Sequence, residues 1–373
     1  MAALVIALSF IFSAVFTALI IPKIILISFR KRLFDTVDER KVHTGIVPRL
    51  GGVAFTPAII ISLAFAIGLS ALHYGLDVVG FDEASGPRLA LCMSALLLLY
   101  LEGVTDDLVG VGYKTKFLVQ FISAIAVVAS GIYFNNLYGL FGVNELTPWV
   151  GIPLSVVGIV FIINAINLID GIDGLASGLS CIALFFFGCM LYYLTEHILS
   201  AIAFTAMGSL IPFFGFNVFG SAEKGHKIFM GDCGSQTIGL ILGMLAIRFS
   251  MYETAGEMTD PRFPNALVVA FSVLMIPLLD VFRVFLGRIR RGANPFMPDQ
   301  THIHHKFLRL GMSHRTAMGV ILMLAAFFGI FNLLLIKQVN INVLLLIDVA
   351  SWTLMQIWIS YLIKKRESKM KEA

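Results

Sequence analysis

Eleven apolar segments, separated by polar loops, run through the whole sequence and leave few folds open to it. A helix needs roughly 20 apolar residues to cross a lipid bilayer. With 58% hydrophobic and only 13% charged residues, the chain is too apolar for a soluble domain. The sequence therefore predicts an all-α, polytopic integral membrane protein with about 11 transmembrane helices in a single domain, residues 1–373. The segments are 2–27, 51–74, 88–105, 116–134, 150–166, 175–195, 198–219, 234–251, 265–283, 316–336 and 341–363.

The distribution of charge predicts the orientation of these segments. An odd number of spans places the two termini on opposite sides, and nearly all loop Lys and Arg residues fall on the side of the C-terminus. The positive-inside bias then predicts an N-terminus outside and a cytoplasmic C-terminus. The first segment is too long for a signal peptide and is interpreted as a retained span. The basic residues on the outer side are Arg88, Arg248, Arg262 and Lys337.

The four cysteines do not indicate a disulfide framework or a zinc site, because they show no paired spacing. The polar motifs instead concentrate in the loops that are predicted to be cytoplasmic. These loops cover approximately residues 28–50, 106–115, 164–174, 220–233 and 284–315.

The stretch from Asn164 to Gly174, NAINLIDGIDG, lies between two apolar segments. Charged residues in that position are costly unless they are used. Gly171 and Gly174 predict a break in the helix, so that Asp170 and Asp173 face one small volume and loop N–H groups stay free for an anion. The alternative is an ordinary polar turn, because Asp-Gly pairs are common turn formers.

The first inner loop, FDTVDERKVHTGIVPRLGG, ends at Gly51 and Gly52, a pair that permits close backbone approach to a ligand. His43 and Arg49 are further candidates for substrate binding in this loop. The alternative is a basic anchor with a turn.

Asp106 and Asp107 are adjacent at the inner end of the third segment and precede Lys114 and Lys116. Neighbouring helical side chains point about 100° apart. The pair therefore favours a cation or a phosphate-bound metal over a shared proton. A solvated helix end is the alternative.

Asp232 lies between glycines where a helix begins, at a position that favours an anion through free N–H groups. Capping of that helix by Asp232 or Ser235 is the alternative.

The longest inner loop contains three histidines in four residues, near several arginines. Because no Cys or Glu accompanies them at ligand spacing, phosphate or sugar binding is favoured over a metal site, and a solvated loop is the alternative. Three carboxyl groups lie inside spans. Glu102 and Asp280 could support a site at the inner face, and Asp348 predicts a hydrogen bond between helices. The histidines are His302, His304 and His305.

Together the inner loops present carboxylates, amides, histidines and cations to one face of the membrane. Mg²⁺ typically takes one or two protein carboxylates and completes its shell with phosphate oxygens and water. The residues therefore predict phosphoryl transfer between a lipid phosphate and a soluble nucleotide. A secondary transporter is the alternative of another class, but transporters place their charged sites near the midplane.

Five motifs in order resemble the polyprenyl-phosphate N-acetylhexosamine-1-phosphate transferases, over nearly all of the chain. They are PRLGG at 48–52, the Asp106-Asp107 pair, NAINLIDGIDGLASG at 164–178, GDCGS at 231–235 and HIHH at 302–305. The resemblance implies a transferase domain that moves a sugar 1-phosphate from a UDP-sugar to undecaprenyl phosphate and releases UMP. It implies Mg²⁺, with Mn²⁺ as a substitute, and an active site on the cytoplasmic face of a bacterial inner membrane. No nucleic acid is implied, and a homodimer stays open.

The resemblance also implies roles for residues. Asp106 and Asp107 match the paired acidic motif. Asn167, Asp170 and Asp173 match the nucleotide and metal loop, and all four of these Asp residues are candidate catalytic groups. Asp232 matches the metal-binding Asp, supported by Asp170, Asp173 and Asp107. The implied substrate-binding residues are His43, Arg49, Gly51, Gly52, Lys114, Lys116, Asn164, Asn167, His302, His304 and His305.

Within the family, HIHH with PRLGG is similar to the branch that uses UDP-GlcNAc to initiate O-antigen, teichoic acid or related glycans. The branch that takes UDP-MurNAc-pentapeptide usually has an unbroken HHH and a TMGG-type loop, so Ile303 and Arg49 argue against it. Other UDP-N-acetylhexosamines stay open as donors.

Overall fold

The protein is almost entirely helical, as its computed structural model shows for residues 2–33, 47–75, 85–251, 265–292 and 301–372. The predicted all-α fold is confirmed except for one small antiparallel hairpin of two strands. The helices are α1 Ala2–Lys31, α2 Phe55–Tyr74, α3 Ser85–Val109, α4 Tyr113–Ala129, α5 Pro148–Ile169, α6 Leu175–Tyr193, α7 His197–Phe219, α8 Gly231–Ser250, α9 Ala266–Ser272, α10 Met275–Arg290, α11 Ile303–Arg309, α12 His314–Leu335 and α13 Ile341–Glu372, and the strands are β1 Asn136–Leu140 and β2 Val143–Glu145.

Nine helices within the described ranges are long and apolar enough to cross a membrane. The predicted segment 265–283 is not one straight span, because α9 and α10 meet at a bend of 77°. The break at Val273 and Leu274 has a local cause. Pro277 lacks an N–H, and its ring clashes with the carbonyl four residues earlier in a continuous helix. Helix α4, with 17 residues, is shorter than each of the nine candidate spans.

Helix α8 forms the centre of the bundle, and 94% of its most apolar stretch of 18 residues is buried. Glycines bring its neighbours unusually close. A Cβ atom at Gly103 of α3 would overlap the backbone of Cys233, and one at Gly239 would lie 2.7 Å from the Cα of Ile163 in α5. These contacts fix α3 and α5 directly against α8. Helix α3 carries Asp106 and Asp107, α8 carries Asp232, and α5 leads into the loop with Asp170.

The hairpin β1–β2 joins α4 to α5 and contacts the start of the last helix. The side chain of Asn342 donates to the carbonyl of Gly139 at 2.9 Å and accepts the N–H of Phe141 at 2.7 Å. Because the hairpin precedes α5 and the Asp170 loop follows it, the two lie at opposite ends of the bundle.

The last helix is longer than a bilayer requires, since 32 residues extend over about 48 Å. Its C-terminal part holds the short helix α11. Lys306 donates to Gln356 at 2.7 Å and to Ser360 at 3.1 Å, and Arg309 pairs with Glu367 at 2.6 Å. Burial, together with the nearby charge of Arg283, lowers the pKa of Lys306 to about 8.

The expected hydrogen bond of Asp348 is confirmed. Asn332 of α12 donates to the Asp348 carboxylate of α13 at 2.9 Å, and both side chains are buried. The carboxyl group therefore joins the last two long helices, far from the predicted site motifs.

Candidate active site

A cavity of about 310 Å³ lies where α5 ends and α8 begins, at the end of the bundle opposite the hairpin. All five predicted inner loops contribute to its wall. The lining residues are Arg49, Asp107, Asn167, Asp170, Gly171, Ile172, Asp173, Asn217, Phe229, Met230, Gly231, Asp232, His305, Leu308 and His314.

The loop after α5 breaks the helix as predicted. Helix α5 ends at Ile169, and Gly174 adopts a φ of 76°, the left-handed conformation that favours glycine. Asp170 and Asp173 both line the cavity. The expectation of free N–H groups is wrong for the two glycines. The N–H of Gly171 bonds to the carbonyl of Ile169 at 2.7 Å, and that of Gly174 bonds to Asn217 at 2.6 Å.

Two residues that the sequence analysis missed hold this loop in place. Asn217 of α7 accepts from Gly174 and donates to the carbonyl of Ile228 at 2.8 Å, so it joins two inner loops. Lys227 pairs with Asp173 at 2.5 Å. The sequence signal for Asn217 was an Asn near the end of an apolar segment, and its side chain is buried in the structure.

Asp232 lies at the centre of the polar contacts. Lys116 contacts its Oδ2 at 2.9 Å. Asn167 donates to its Oδ1, and it also donates to the hydroxyl of Ser235 at 2.8 Å. Lys116 also bonds to Asp106 at 3.0 Å. The lysine therefore joins the acidic pair of α3 to the first turn of α8.

Asp107 caps helix α8 from outside that helix. Its two carboxylate oxygens accept the N–H groups of Asp232 at 2.8 Å and of Cys233 at 3.0 Å. The predicted free anion site at this helix start is therefore wrong, because a carboxylate of the chain already occupies it. Capping by Asp232 itself is also excluded, since its side chain bonds to Lys116 and Asn167 instead.

Gly51 and Gly52 pack against the chain, which corrects the prediction that they approach a ligand. Both are buried, and their N–H groups bond to the carbonyls of Phe229 and Met230 at 2.9 and 2.8 Å. A Cβ atom at Gly52 would overlap the backbone of Gly234. The pair therefore lies behind the cavity wall.

The other predicted substrate-binding residues are distributed unevenly. Arg49 lines the cavity, whereas Lys114 is exposed outside it. Asn164 lies below the cavity and donates to Gln120 at 2.7 Å. His43 lies outside the described residues.

The three predicted histidines occupy different positions. His302 bonds to Asp280 at 2.9 Å, and the same carboxylate accepts the N–H of Ile303 at 3.0 Å and a bond from Arg283 at 2.7 Å. Asp280 therefore fixes the start of α11 from behind the site. Of the three histidines, only His305 lines the cavity. His314, which the sequence analysis missed, lines it as well.

His304 is buried between the other two histidines and the Asp170 loop. Its ring is parallel to that of His302 at 5.9 Å and lies 4.2 Å from that of His305. A Cβ atom at Gly171 would overlap the His304 ring, so the two motifs interlock. Burial, reinforced by the neighbouring histidines, lowers the pKa of His304 to about 3 and keeps the ring neutral.

Asp170 lines the cavity and is exposed to it. Desolvation by the surrounding protein raises its pKa to about 7, and the charges of Asp232 and Asp173 add to the effect, while Arg49 opposes it. At neutral pH the carboxylate form is therefore costly until a cation compensates it.

The donor set fits a metal that is shared with a substrate. Among the described residues, no group of three His, Cys, Asp or Glu side chains could close a metal site alone. Asp107 already accepts two backbone N–H groups, and Asp173 pairs with Lys227. Asp170 and Asp232 are the best candidates, although Asp232 also has partners and would exchange Lys116 or Asn167 for the cation. Two carboxylates are what Mg²⁺ commonly takes when phosphate oxygens and water complete its shell.

The chain is similar to known proteins over most of its length. The family model described as glycosyl transferase family 4 matches residues 89–250, which run from the start of α3 to the end of α8. An undecaprenyl-phosphate alpha-N-acetylglucosaminyl 1-phosphate transferase from Yersinia pestis is 28% identical over 305 residues, which cover 81% of this chain and 76% of that protein.

A probable undecaprenyl-phosphate N-acetylglucosaminyl 1-phosphate transferase from Bacillus subtilis is 30% identical over 335 residues, which cover 88% of this chain and 85% of that protein. A relative from Escherichia coli strain K12 with the same name as the Yersinia protein is 28% identical over 79% of this chain and 74% of its own. The similarity therefore extends well beyond the matched family model, and the chain belongs to glycosyl transferase family 4.

Proposed function

We propose that this protein transfers GlcNAc-1-phosphate from UDP-GlcNAc to undecaprenyl phosphate, giving undecaprenyl-diphosphate-GlcNAc and UMP. The observation that carries the proposal is a polar cavity at one end of an apolar bundle, lined by four carboxylates and Arg49. The names of the relatives from Yersinia pestis and Bacillus subtilis support the same reaction. It would initiate a cell-surface glycan.

The proposed location is a bacterial cytoplasmic membrane, with the cavity on the cytoplasmic side. The nine candidate spans, with α4 and the bent pair α9–α10, would give eleven crossings, an N-terminus outside and a cytoplasmic C-terminus. The basic loops around the cavity support this orientation. A site at one end also separates this function from a secondary transporter, whose charged site would lie near the midplane.

In the proposed reaction, an oxygen of the lipid phosphate attacks the β-phosphorus of UDP-GlcNAc. The bond from that phosphorus to the bridging oxygen breaks, and UMP leaves with this oxygen. A phosphomonoester has its second pKa near 6, so most of the acceptor is already a dianion at pH 7 to 8. Asp106, held by Lys116 and by the N–H of Val111 at 2.6 Å, would therefore orient the acceptor and need not remove a proton.

We propose that Asp232 and Asp170 hold Mg²⁺, or Mn²⁺ in its place, together with the phosphates of the donor. A bound divalent cation would neutralise charge that develops on the phosphate oxygens. The side chains of Lys116 and Asn167 orient Asp232 for this task. Arg49 would add a positive charge at the cavity wall.

The proposal is tested by UMP release from the purified protein in detergent, with undecaprenyl phosphate and a panel of UDP-sugars. We expect UDP-GlcNAc to give the highest turnover and chelation of divalent cations to abolish it. Preference for another UDP-N-acetylhexosamine would keep the chemistry and change the donor. Absence of UMP release with every donor would refute the proposed function.

Asp232→Asn tests the site directly, because it keeps the shape of the side chain and removes the charge that a hard cation requires. We expect turnover to be lost while the protein purifies and melts as the wild type does. Asp348→Asn is the matched control, since it changes a carboxylate that bonds to Asn332 away from the cavity. Near-normal turnover of Asp232→Asn would exclude it as the metal ligand.

A further inference from the structure

Four polar side chains form a continuous chain of hydrogen bonds inside the bundle. Asn164 donates to Gln120 at 2.7 Å, Gln120 donates to Gln236 at 2.8 Å, and Gln236 donates to Glu102 at 3.1 Å. Three of them are buried, and Asn164 is half-buried. We call these four residues, three carboxamides and one carboxylate, the amide tier.

The amide tier lies one helical turn below the candidate site. Each member is three or four residues from a site residue of the same helix, and residues at that spacing lie on the same helix face. The tier therefore has one member on each of the four helices that meet at Asp232. The pairs are Glu102 with Asp106 in α3, Gln120 with Lys116 in α4, Asn164 with Asn167 in α5, and Gln236 with Asp232 in α8.

The hydrogen bonds of the tier all run in one direction. Each glutamine accepts from one neighbour and donates to the next, and the chain ends at a carboxylate, which can only accept when ionised. The second carboxylate oxygen of Glu102 is already buried without a hydrogen-bond partner among the described residues. A rotation or a shift of one helix would break the order of the bonds and leave further buried polar groups without partners, which is unfavourable. The arrangement thus favours one register of the four helices.

Apolar side chains of similar size could fill the same space without this constraint. Polar groups inside a membrane protein are costly, and buried polar groups can specify register at the expense of stability. Glu102 is also within electrostatic range of Lys116, Asp106 and Asp232. Because the tier lies one helical turn from the site, the helix register that it specifies also sets the positions of the site residues.

We propose that Glu102, Gln120, Asn164 and Gln236 are positioning residues that fix the height and rotation of α3, α4, α5 and α8. In this register, Lys116 and Asn167 hold Asp232 in a single orientation. The predicted loss of kcat rests on the proposed function, whereas the predicted change in the distance between helices does not.

The main test replaces Glu102, Gln120 and Gln236 with Met together. Met is similar in size, and Asn164 keeps its second bond, to the carbonyl of Val160 at 2.8 Å. Removing all partners at once can be nearly neutral for stability. We therefore expect melting close to the wild type, KM within about threefold, and kcat lower by about 10- to 100-fold, because small misplacements slow the reaction strongly.

Glu102→Gln is the conservative variant, because its amide oxygen can still accept from Gln236. We expect it to keep most of the wild-type kcat. A kcat as low as that of the triple variant would show that charge, and not register, is what the tier supplies, and would overturn the proposal. Wild-type kcat in the triple variant, or a loss of activity fully explained by unfolded protein, would overturn it too.

The matched control removes a polar pair elsewhere, with Asn332→Leu and Asp348→Leu combined. This buried pair joins α12 to α13 and has no member beside the cavity. We expect its kcat to equal the wild type. An equal loss of kcat in the control would assign the effect to polar pairs in general and contradict the proposal.

Spin labels on cysteines at Val109 of α3 and Leu168 of α5 report the register without any turnover. Both positions are exposed and lie at the site end of their helices. We expect a narrow distribution of distances between the two labels when the amide tier is unchanged, and a shifted or broadened distribution in the triple variant. An unchanged distribution would refute the inference. An inactive wild type with the expected distances would count against the proposed function alone.

Discussion

At the scale of single residues, the raised pKa of Asp170 predicts that the site responds to pH. This pKa, about 7, means that the folded protein without a cation binds a proton there between about pH 4 and 7 that the unfolded chain has released. The folded state therefore loses stability as the pH rises through this range. A bound divalent cation would recover that loss, because it requires the carboxylate form.

We predict that divalent-cation affinity falls by up to about tenfold per pH unit below pH 7 and levels off above it, because one proton is displaced. Mn²⁺ binding at pH 6, 7 and 8, followed by electron paramagnetic resonance, measures this. His304 does not add to the change, since its ring is already neutral. Asp170→Asn should bind more weakly with a flatter pH profile. An equally steep profile in that variant would assign the proton to another group.

The contact between Gly171 and His304 gives a second prediction at this scale. Gly171→Ala should lower turnover strongly, because the new methyl group overlaps the His304 ring and must displace the Asp170 loop. Combining it with His304→Ala makes room, so the double variant should recover turnover to the level of His304→Ala alone. Gly215→Ala is the control, because a Cβ atom there meets nothing within 4 Å. Additive losses in the double variant would contradict the interlocking of the two motifs.

Much of the site could be predicted from residue types, and its failures have physical causes. Asp170 and Asp173 were predicted to face one volume because glycines break the helix between two apolar runs, and both do line the cavity. The role of Asp107 could not be predicted, since its partners lie 125 and 126 residues away. Asn217 and His314 belong to no motif, and only the fold brings them to the cavity.

At the scale of elements, close helix crossings place the acidic groups. Gly103 lets α3 approach the backbone of Cys233, and the same approach brings Asp107 to the start of α8. The segments themselves could be predicted from hydropathy, whereas the bend between α9 and α10 could not be predicted from apolarity. The hairpin β1–β2 was also missed, because strands of five and three residues are too short to give a clear periodic signal.

Gly103→Ala should reduce both stability and turnover. The added methyl group meets backbone, which cannot move aside as a flexible side chain can, at an expected cost of about 1–3 kcal/mol. The temperature at which half of the detergent-solubilised protein remains folded measures the first effect, and UMP release measures the second. Gly68→Ala in α2 is the matched control, because it meets nothing within 4 Å and should be neutral or stabilising. Equal behaviour of the two variants would refute the crossing as the cause.

At the scale of the whole molecule, the two ends of the bundle differ in chemistry. The cavity, its carboxylates and its cations lie at the end of α5, whereas the hairpin and the start of α13 form the other end. The proposed topology therefore assigns each end to one side of the membrane.

We predict that a membrane-impermeant maleimide, added to intact cells, labels Val143→Cys in the hairpin and does not label Glu223→Cys in the loop before α8. Both side chains are exposed, so accessibility within the protein is matched. Permeabilised cells should show labelling at both, and the parent chain reports labelling of its native cysteines. The reverse pattern in intact cells would place the cavity outside and separate it from a cytoplasmic nucleotide.

The capping of α8 by Asp107 also has a consequence for biogenesis. Helix α3 leaves the ribosome with Glu102, Asp106 and Asp107, but the groups that bond to Asp107 follow more than a hundred residues later. At about 5–20 residues per second, that delay is about 6 to 25 s. During this time α3 must remain in the membrane, or beside the insertion machinery, with carboxyl groups that still lack their partners from α8. Translation that stops before Gly231 should therefore leave a fragment that quality-control proteases recognise through α3.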